Sequence, residues 1–167
     1  KIKLLPKGTP DMNKISDAIA EGAQAFLKRE YTTIVFLAAF ITLGMYIGLG
    51  SMSAVGFVIG AVCSAVAGFI GMNIAVRANV RVTQAAKSGL KQALSVAFSG
   101  GAVTGLMVAG LALLAVTVLY LLVGNGSQLD VKPLIALSFG GSLISVFARL
   151  GGGIYTKGAD VGTDMVG

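Results

Sequence analysis

The chain has 167 residues, of which 55% are apolar and 12% charged, and 24 are glycine. An average globular domain carries about 25% charged residues, so the composition excludes a soluble globular domain. The formal net charge of +6 does not point to nucleic acid, because the basic residues fall mainly in two short connecting regions and form no basic helix face or aromatic–basic patch.

The glycines follow no Gly-X-Y period, which excludes collagen. They lie within apolar tracts, as where membrane helices pack closely. Cys63 is the only cysteine and histidine is absent. An internal disulfide is therefore impossible, a soft-metal site is not expected, and Cys63 reads as a small apolar packer. Residues 1–10, KIKLLPKGTP, lack the apolar core of a signal peptide. With no initiator methionine, both ends are expected to be cut from something longer.

Residues 1–30 read as a cytoplasmic-side amphipathic segment. Thr9 suits an N-cap, Pro10 the first helical position and Asp11 the positive end of the helix dipole. Met12, Ile15, Ile19, Ala23 and Phe26 recur at helical spacing, with Lys14, Asp17, Glu21, Lys28 and Glu30 mostly off that stripe. The segment is expected to pack on a bundle or lie at the membrane interface. Its mixed charge argues against a polybasic lipid sensor.

Residues 31–167 read as a transmembrane helix bundle. No charge occurs from Tyr31 through Val76, from Gln92 through Leu129, or from Pro133 through Ala148. A helix needs about 20 apolar residues to cross the hydrocarbon. The first gap accommodates two spans, 31–48 and 54–76, around a turn at Gly48–Ser53. The second accommodates a span at 96–123, closed by the turn signal Asn125–Gly126. The last span, 133–157, opens at Pro133 and continues into a segment reaching 167. The uncharged faces of the first three spans exclude a soluble bundle, whose helices keep a polar face. The fold expected is all-α, a polytopic membrane bundle.

Lys1, Lys3, Lys7, Lys14, Lys28 and Arg29 precede the first span, and Arg77, Arg81, Lys87 and Lys91 lie between the second and third. The other two connections carry only Asp130 and Lys132. By the positive-inside bias the basic connections are cytoplasmic, so the last span runs inward. Gly56, Gly60, Ser64 and Gly68 recur every fourth residue, and Gly101, Gly105 and Gly110 line the third span; both sets predict close helix contacts.

Residues 147–167, FARLGGGIYTKGADVGTDMVG, hold the chemistry. If the helix continues through the glycines, Arg149, Lys157, Asp160 and Asp164 fall within an arc of about 80°, with Arg149 and Asp164 about 22 Å apart along the axis. Carboxylates at i,i+4 can share a hard divalent ion such as Mg²⁺, and a lysine offers a point charge to a phosphate oxygen. The set suits a metal–phosphate substrate; it equally suits solvated charges at a membrane boundary. Arg149 lies well inside the span, which implies either a buried, paired charge or one snorkelling to the interface. Gly151–Gly153 imply a close helix contact or a local bend. Neither a GxGxxG dinucleotide loop nor a lysine-bearing P-loop is present.

Three blocks resemble the membrane-bound, ion-pumping inorganic pyrophosphatases: GTPDMNKISDAIAEGAQAFLKREY at 8–31; GFIGMNIAVRANVRVTQAA at 68–86 with VAFSGGAVTG at 96–105; and FGGSLISVFARLGGGIYTKGADVGTDMVG at 139–167. The resemblance covers nearly the whole chain and implies four of roughly sixteen spans. It implies hydrolysis of magnesium pyrophosphate to two phosphates at a cytoplasmic-side site, coupled to export of H⁺ or Na⁺. It further implies Mg²⁺ as cofactor with K⁺ or Na⁺ as an optional activator, a homodimer, and no nucleic-acid partner. The location implied is a prokaryotic plasma membrane, alternatively a vacuolar or acidocalcisome membrane.

Lys157 is similar to the family lysine that contacts pyrophosphate. Asp160 and Asp164 resemble the first two aspartates of the signature DVGADLVGKVE, which help hold Mg²⁺ and pyrophosphate. Arg149 resembles the arginine of the ion-coupling region. Gly158, Thr163 and Met165 replace the family's usual alanine, alanine and leucine, and the chain stops at Gly167 before the signature's lysine and glutamate. The water-activating aspartates are expected downstream, so no catalytic residue and no activity are expected within this piece alone. The other class of function to weigh is a secondary transporter or channel subunit, which would lack the KVE continuation and further aspartate-rich helix ends.

Overall fold

In lipid an uncharged segment can satisfy its backbone N–H and C=O groups only internally, and long helices are the result. The structure, a computed structural model, describes residues 2–125 and 128–166. A short 3-10 turn at Ile2–Leu4 precedes α1 (Pro10–Leu49), α2 (Ser51–Ala86), α3 (Leu90–Val123) and α4 (Lys132–Val166). A two-residue antiparallel ladder, β1 (Gly124–Asn125) with β2 (Gln128–Leu129), links α3 to α4. Gly126 of the expected turn, like Lys1, Ser127 and Gly167, lies outside the described residues. All four helices are long and apolar enough to cross a membrane, and the chain is a multi-pass integral membrane protein.

The helix ends differ from the expected spans. The amphipathic segment and the first span form one helix, since nothing between Pro10 and Leu49 breaks it. Its 40 residues extend roughly 60 Å, about twice the hydrocarbon thickness. α2 likewise runs on to Ala86, so Arg77 and Arg81, expected in a connection, are helical. The expected turn at Gly48–Ser53 shrinks to Gly50 alone, whose φ of 90° reverses the chain in one residue, a conformation open to glycine without a Cβ penalty. At the start of α1 the Met12 N–H donates to Thr9 Oγ1 at 3.4 Å, so Thr9 is the cap and Pro10 the first helical residue. Before α4 the Lys132 N–H donates to Asp130 Oδ1 at 3.0 Å.

The chain divides into two compact units. The first comprises Lys1–Leu27 and Val66–Gly110. Here Ala20, Ala23, Gln24 and Leu27 face Met72, Asn73, Val76 and Arg77 around a cavity of about 20 Å³. The expected apolar stripe of α1 is buried only in part: Ala23 is buried and Met12 and Phe26 are half-buried. Ile15 and Ile19 are 62% and 42% exposed, whereas Ala23 and Leu27 are buried. The small side chains of Ala20 and Ala23 let α2 approach closely here. α3 also departs from expectation. Gly100 contacts Ala78, but Gly101, Gly105 and Gly110 have open space where a Cβ would stand.

The second unit comprises Lys28–Ala65 and Leu111–Gly167. Ile34, Ala61 and Ile144 form one cluster with Ala65 and Phe147. Ala115, Leu119 and Leu137 form another, joined by Ile59, Cys63, Val123 and Leu134, so Cys63 packs as a small apolar residue. Half of the α2 glycine pattern is used here. A Cβ on Gly56 would overlap the Pro133 carbonyl oxygen, one on Gly60 the Leu137 carbonyl oxygen, and one on Gly140 the Phe57 carbonyl oxygen. Backbone thus lies directly on backbone between α2 and α4. Phe57, fully buried, meets Phe139 with ring centroids 5.9 Å apart. The Tyr31 hydroxyl donates to the Ala65 carbonyl at 2.7 Å, tying α1 to α2.

Candidate functional site

The site depends on whether α4 survives its glycines, and it does. The helix is unbroken from Lys132 to Val166, through Gly151–Gly153. Its first half is fastened by the α2 contact. Pro133, Ala136, Leu137 and Ile144 are buried, whereas no residue from 145 to 165 is. Helical continuity puts Arg149, Lys157, Asp160 and Asp164 within one arc of about 80°.

Lys157 Nζ stands 3.9 Å from Asp160 Oδ2, and their side chains are 76% and 67% exposed. An exposed ion pair of this length stabilises little, so both groups stay available to a ligand. Asp164 follows one turn later on the same face, which leaves its Cβ about 5–6 Å from that of Asp160. Thr163, next to Asp164, turns its hydroxyl back to the Ala159 carbonyl at 3.0 Å and so does not compete for the carboxylates. Among the described residues no three metal-ligating side chains cluster. The two aspartates are hard oxygen donors that fit Mg²⁺, an ion that keeps several waters and binds through one or two carboxylates plus substrate phosphates.

Arg149 is exposed in this chain. It lies one residue before the exposed Leu150, just past the part of α4 that α2 covers. Among the described residues Arg81 is a buried arginine, 5% exposed, whose Nη1 donates to the Arg77 carbonyl. The charge pattern places Arg81 in a connection. The signal that points to a continued helix is the four-residue spacing of Arg77 and Arg81. The glycine contact that seats α4 is visible in the sequence only as half of a pair: the α2 pattern is legible, its partner Gly140 is not.

Comparison with known proteins agrees with this architecture. The family described as inorganic H⁺ pyrophosphatase matches residues 1–167. A protein of Methanosarcina mazei named a K⁺-insensitive pyrophosphate-energized proton pump is 51% identical over 96% of this chain and 23% of its own length. One of the same name from Caldanaerobacter subterraneus is 46% identical over 96% of this chain and 26% of its own. The pyrophosphate-energized membrane proton pump 3 of Arabidopsis thaliana is 42% identical, with shares of 96% and 24%. The chain spans about a quarter of the length of the curated relatives it matches. With the match running along the whole chain and four membrane-length helices carrying it, the chain belongs to the inorganic H⁺ pyrophosphatase family.

Proposed function

We propose that this chain forms part of a membrane pump that hydrolyses magnesium pyrophosphate to two phosphates and drives H⁺ away from the cytoplasm. The observation that carries this reading is the unbroken α4, which keeps Lys157, Asp160 and Asp164 on one exposed face. Two of the relatives cited are named K⁺-insensitive and all three are named proton pumps. They favour H⁺ over Na⁺ and weigh against a K⁺ activator.

In this reading Asp160 and Asp164 hold Mg²⁺ from one side, and Lys157 directs its ammonium to a phosphate oxygen. The metal, when bound, neutralises the phosphate oxygens and the leaving phosphate. The chain's own contribution is positioning: a helix presents three groups at fixed rotation, which lowers the entropy lost on aligning the substrate. Two carboxylates and one lysine do not complete a phosphoryl-transfer site, so the remaining ligands and the group activating water belong to the rest of the pump. Arg149, on the same face toward the membrane, is assigned to coupling rather than to hydrolysis. The second copy of a homodimer and the identity of the host membrane stay proposals of the same kind.

The test is the full-length protein in sealed vesicles, with pyrophosphate hydrolysis and internal pH followed together, with and without Na⁺ and K⁺. Acidification that tracks hydrolysis and needs neither cation is expected. Hydrolysis without acidification, or Na⁺ uptake in its place, refutes the H⁺ assignment; no hydrolysis refutes the reading. Arg149→Ala should reduce the H⁺ moved per pyrophosphate at least as strongly as the hydrolysis rate, and an unchanged ratio with an unchanged rate removes its coupling role.

A further inference from the structure

Glu30 is a carboxyl that the proposed reaction leaves unused. Its side chain is half-buried, and its Oε1 is sealed from solvent and accepts no hydrogen bond. An oxygen sealed within this chain stays sealed when more protein surrounds it. A donor elsewhere in a longer pump therefore reaches it only by parting these helices. Enclosing a charged oxygen without a partner is costly, and the cost falls on the ionised form alone. Burial accordingly raises the Glu30 carboxyl above its ordinary value.

The position of Glu30 ties that cost to helix packing. It stands one turn before Ile34, on the same side of α1. Ile34 is buried with Ala61 of α2 and Ile144 of α4, and Ala65 and Phe147 pack against them. Tyr31, the next residue, donates its hydroxyl to the Ala65 carbonyl at 2.7 Å. What meets α1 here is apolar side chains and a carbonyl that already has a donor. No charged residue occurs in α2 from Ser51 to Ala65 or in α3 from Leu111 to Val123, and Cys63 packs in the other cluster. On α4, Arg149 is two residues past Phe147, about 200° around the helix and so on its far side. Tyr155 and the remaining charges of α4 lie eight or more residues from Phe147. On α1 itself Lys28 and Arg29 precede Glu30, and neither forms an ion pair with it.

We infer that Glu30 is a pH-sensitive clasp: with its carboxyl protonated, α1 holds firmly to α2 and α4, and with the carboxyl ionised that hold weakens. By linkage, a carboxyl whose value is raised on folding favours the folded state below its ordinary value, about 4.3 for glutamate. That advantage is lost as pH rises through the raised value. Because Ile144 shares the contact, the clasp acts on the helix that carries Lys157, Asp160 and Asp164. The inference does not depend on the proposed function.

Glu30→Gln in the full-length protein tests it, since glutamine keeps the shape and cannot ionise. Unfolding is followed in mixed micelles of rising SDS fraction, at pH values from about 4 to 8. At neutral pH the variant should unfold at a higher SDS fraction than the wild type. The difference should shrink as pH falls and vanish below the ordinary glutamate value. A variant no more stable than the wild type at neutral pH, or one that does not fold, overturns the clasp. A gain that stays constant across the pH range overturns it too, because it would not come from the charge. A second readout is the infrared band of a protonated carboxyl, present in the wild type and missing from the variant. It should persist above the ordinary glutamate value, and its loss at that value overturns the inference independently of unfolding.

Discussion

Gly60→Ala should unseat α4, and the structure sets the scale. The new Cβ would overlap the Leu137 carbonyl oxygen and stand 2.9 Å from its carbon and 3.1 Å from the Gly141 nitrogen. All three are backbone atoms, so no rotamer change relieves the clash. Ordinary carbon contacts lie at about 3.5–4.0 Å, which requires α2 and α4 to part by on the order of 1 Å. Overpacking of this kind costs roughly 1–3 kcal/mol. Parting the helices also weakens any Cα–H···O bonds at such a crossing, at about 0.5–1 kcal/mol each. Gly105→Ala is the reference, because open space surrounds that position while the gain in helix propensity, about 1 kcal/mol, is the same. The difference between the two variants is therefore roughly 2–4 kcal/mol, a factor of about 30 to several hundred in the folding equilibrium. Unfolding of the full-length protein in mixed micelles of rising SDS fraction measures it. If Gly60→Ala is as stable as Gly105→Ala, the backbone contact does not hold α4 and the argument for its seating fails.

Tyr31→Phe removes the 2.7 Å bond to the Ala65 carbonyl and should lower stability by about 1 kcal/mol in the same assay; no change would mean that the carbonyl finds another donor. Asp160→Asn should weaken Mg²⁺ dependence at least tenfold, read as the Mg²⁺ concentration for half-maximal hydrolysis. It should leave thermal stability where it was, since the exposed 3.9 Å pair with Lys157 stabilises little. A stability loss with unaltered Mg²⁺ response would instead make Asp160 a structural residue. On α1, Ala23→Leu should destabilise the packing against α2, while Ile15→Ser should not, because Ala23 is buried and Ile15 is 62% exposed. The reverse order would move the packing contact from Ala23 to Ile15.

That last pair marks a boundary of sequence reading. Apolar periodicity locates a buried face when water is the solvent. Along the α1 stripe Ile15 and Ile19 are exposed while Ala23 is buried, so periodicity finds the stripe without saying which of its residues make the contact. The α2 pattern is one of size rather than hydropathy, and Gly56 and Gly60 do sit at a contact. The same rule applied to Gly101 and Gly105 misplaces the contact by one residue, to Gly100, because a small residue permits an approach without specifying which neighbour makes it.

The sequence alone determined that this chain is built of membrane-crossing helices, because absence of charge over such lengths leaves the backbone no other way to be satisfied in lipid. It also determined that Lys157, Asp160 and Asp164 share a face, because a helix of regular pitch converts spacing into angle. Only the tertiary structure decided where that helix is seated. Its seating comes from backbone approaching backbone at Gly60 and Gly140, residues far apart along the chain, and no local pattern states which two surfaces will meet.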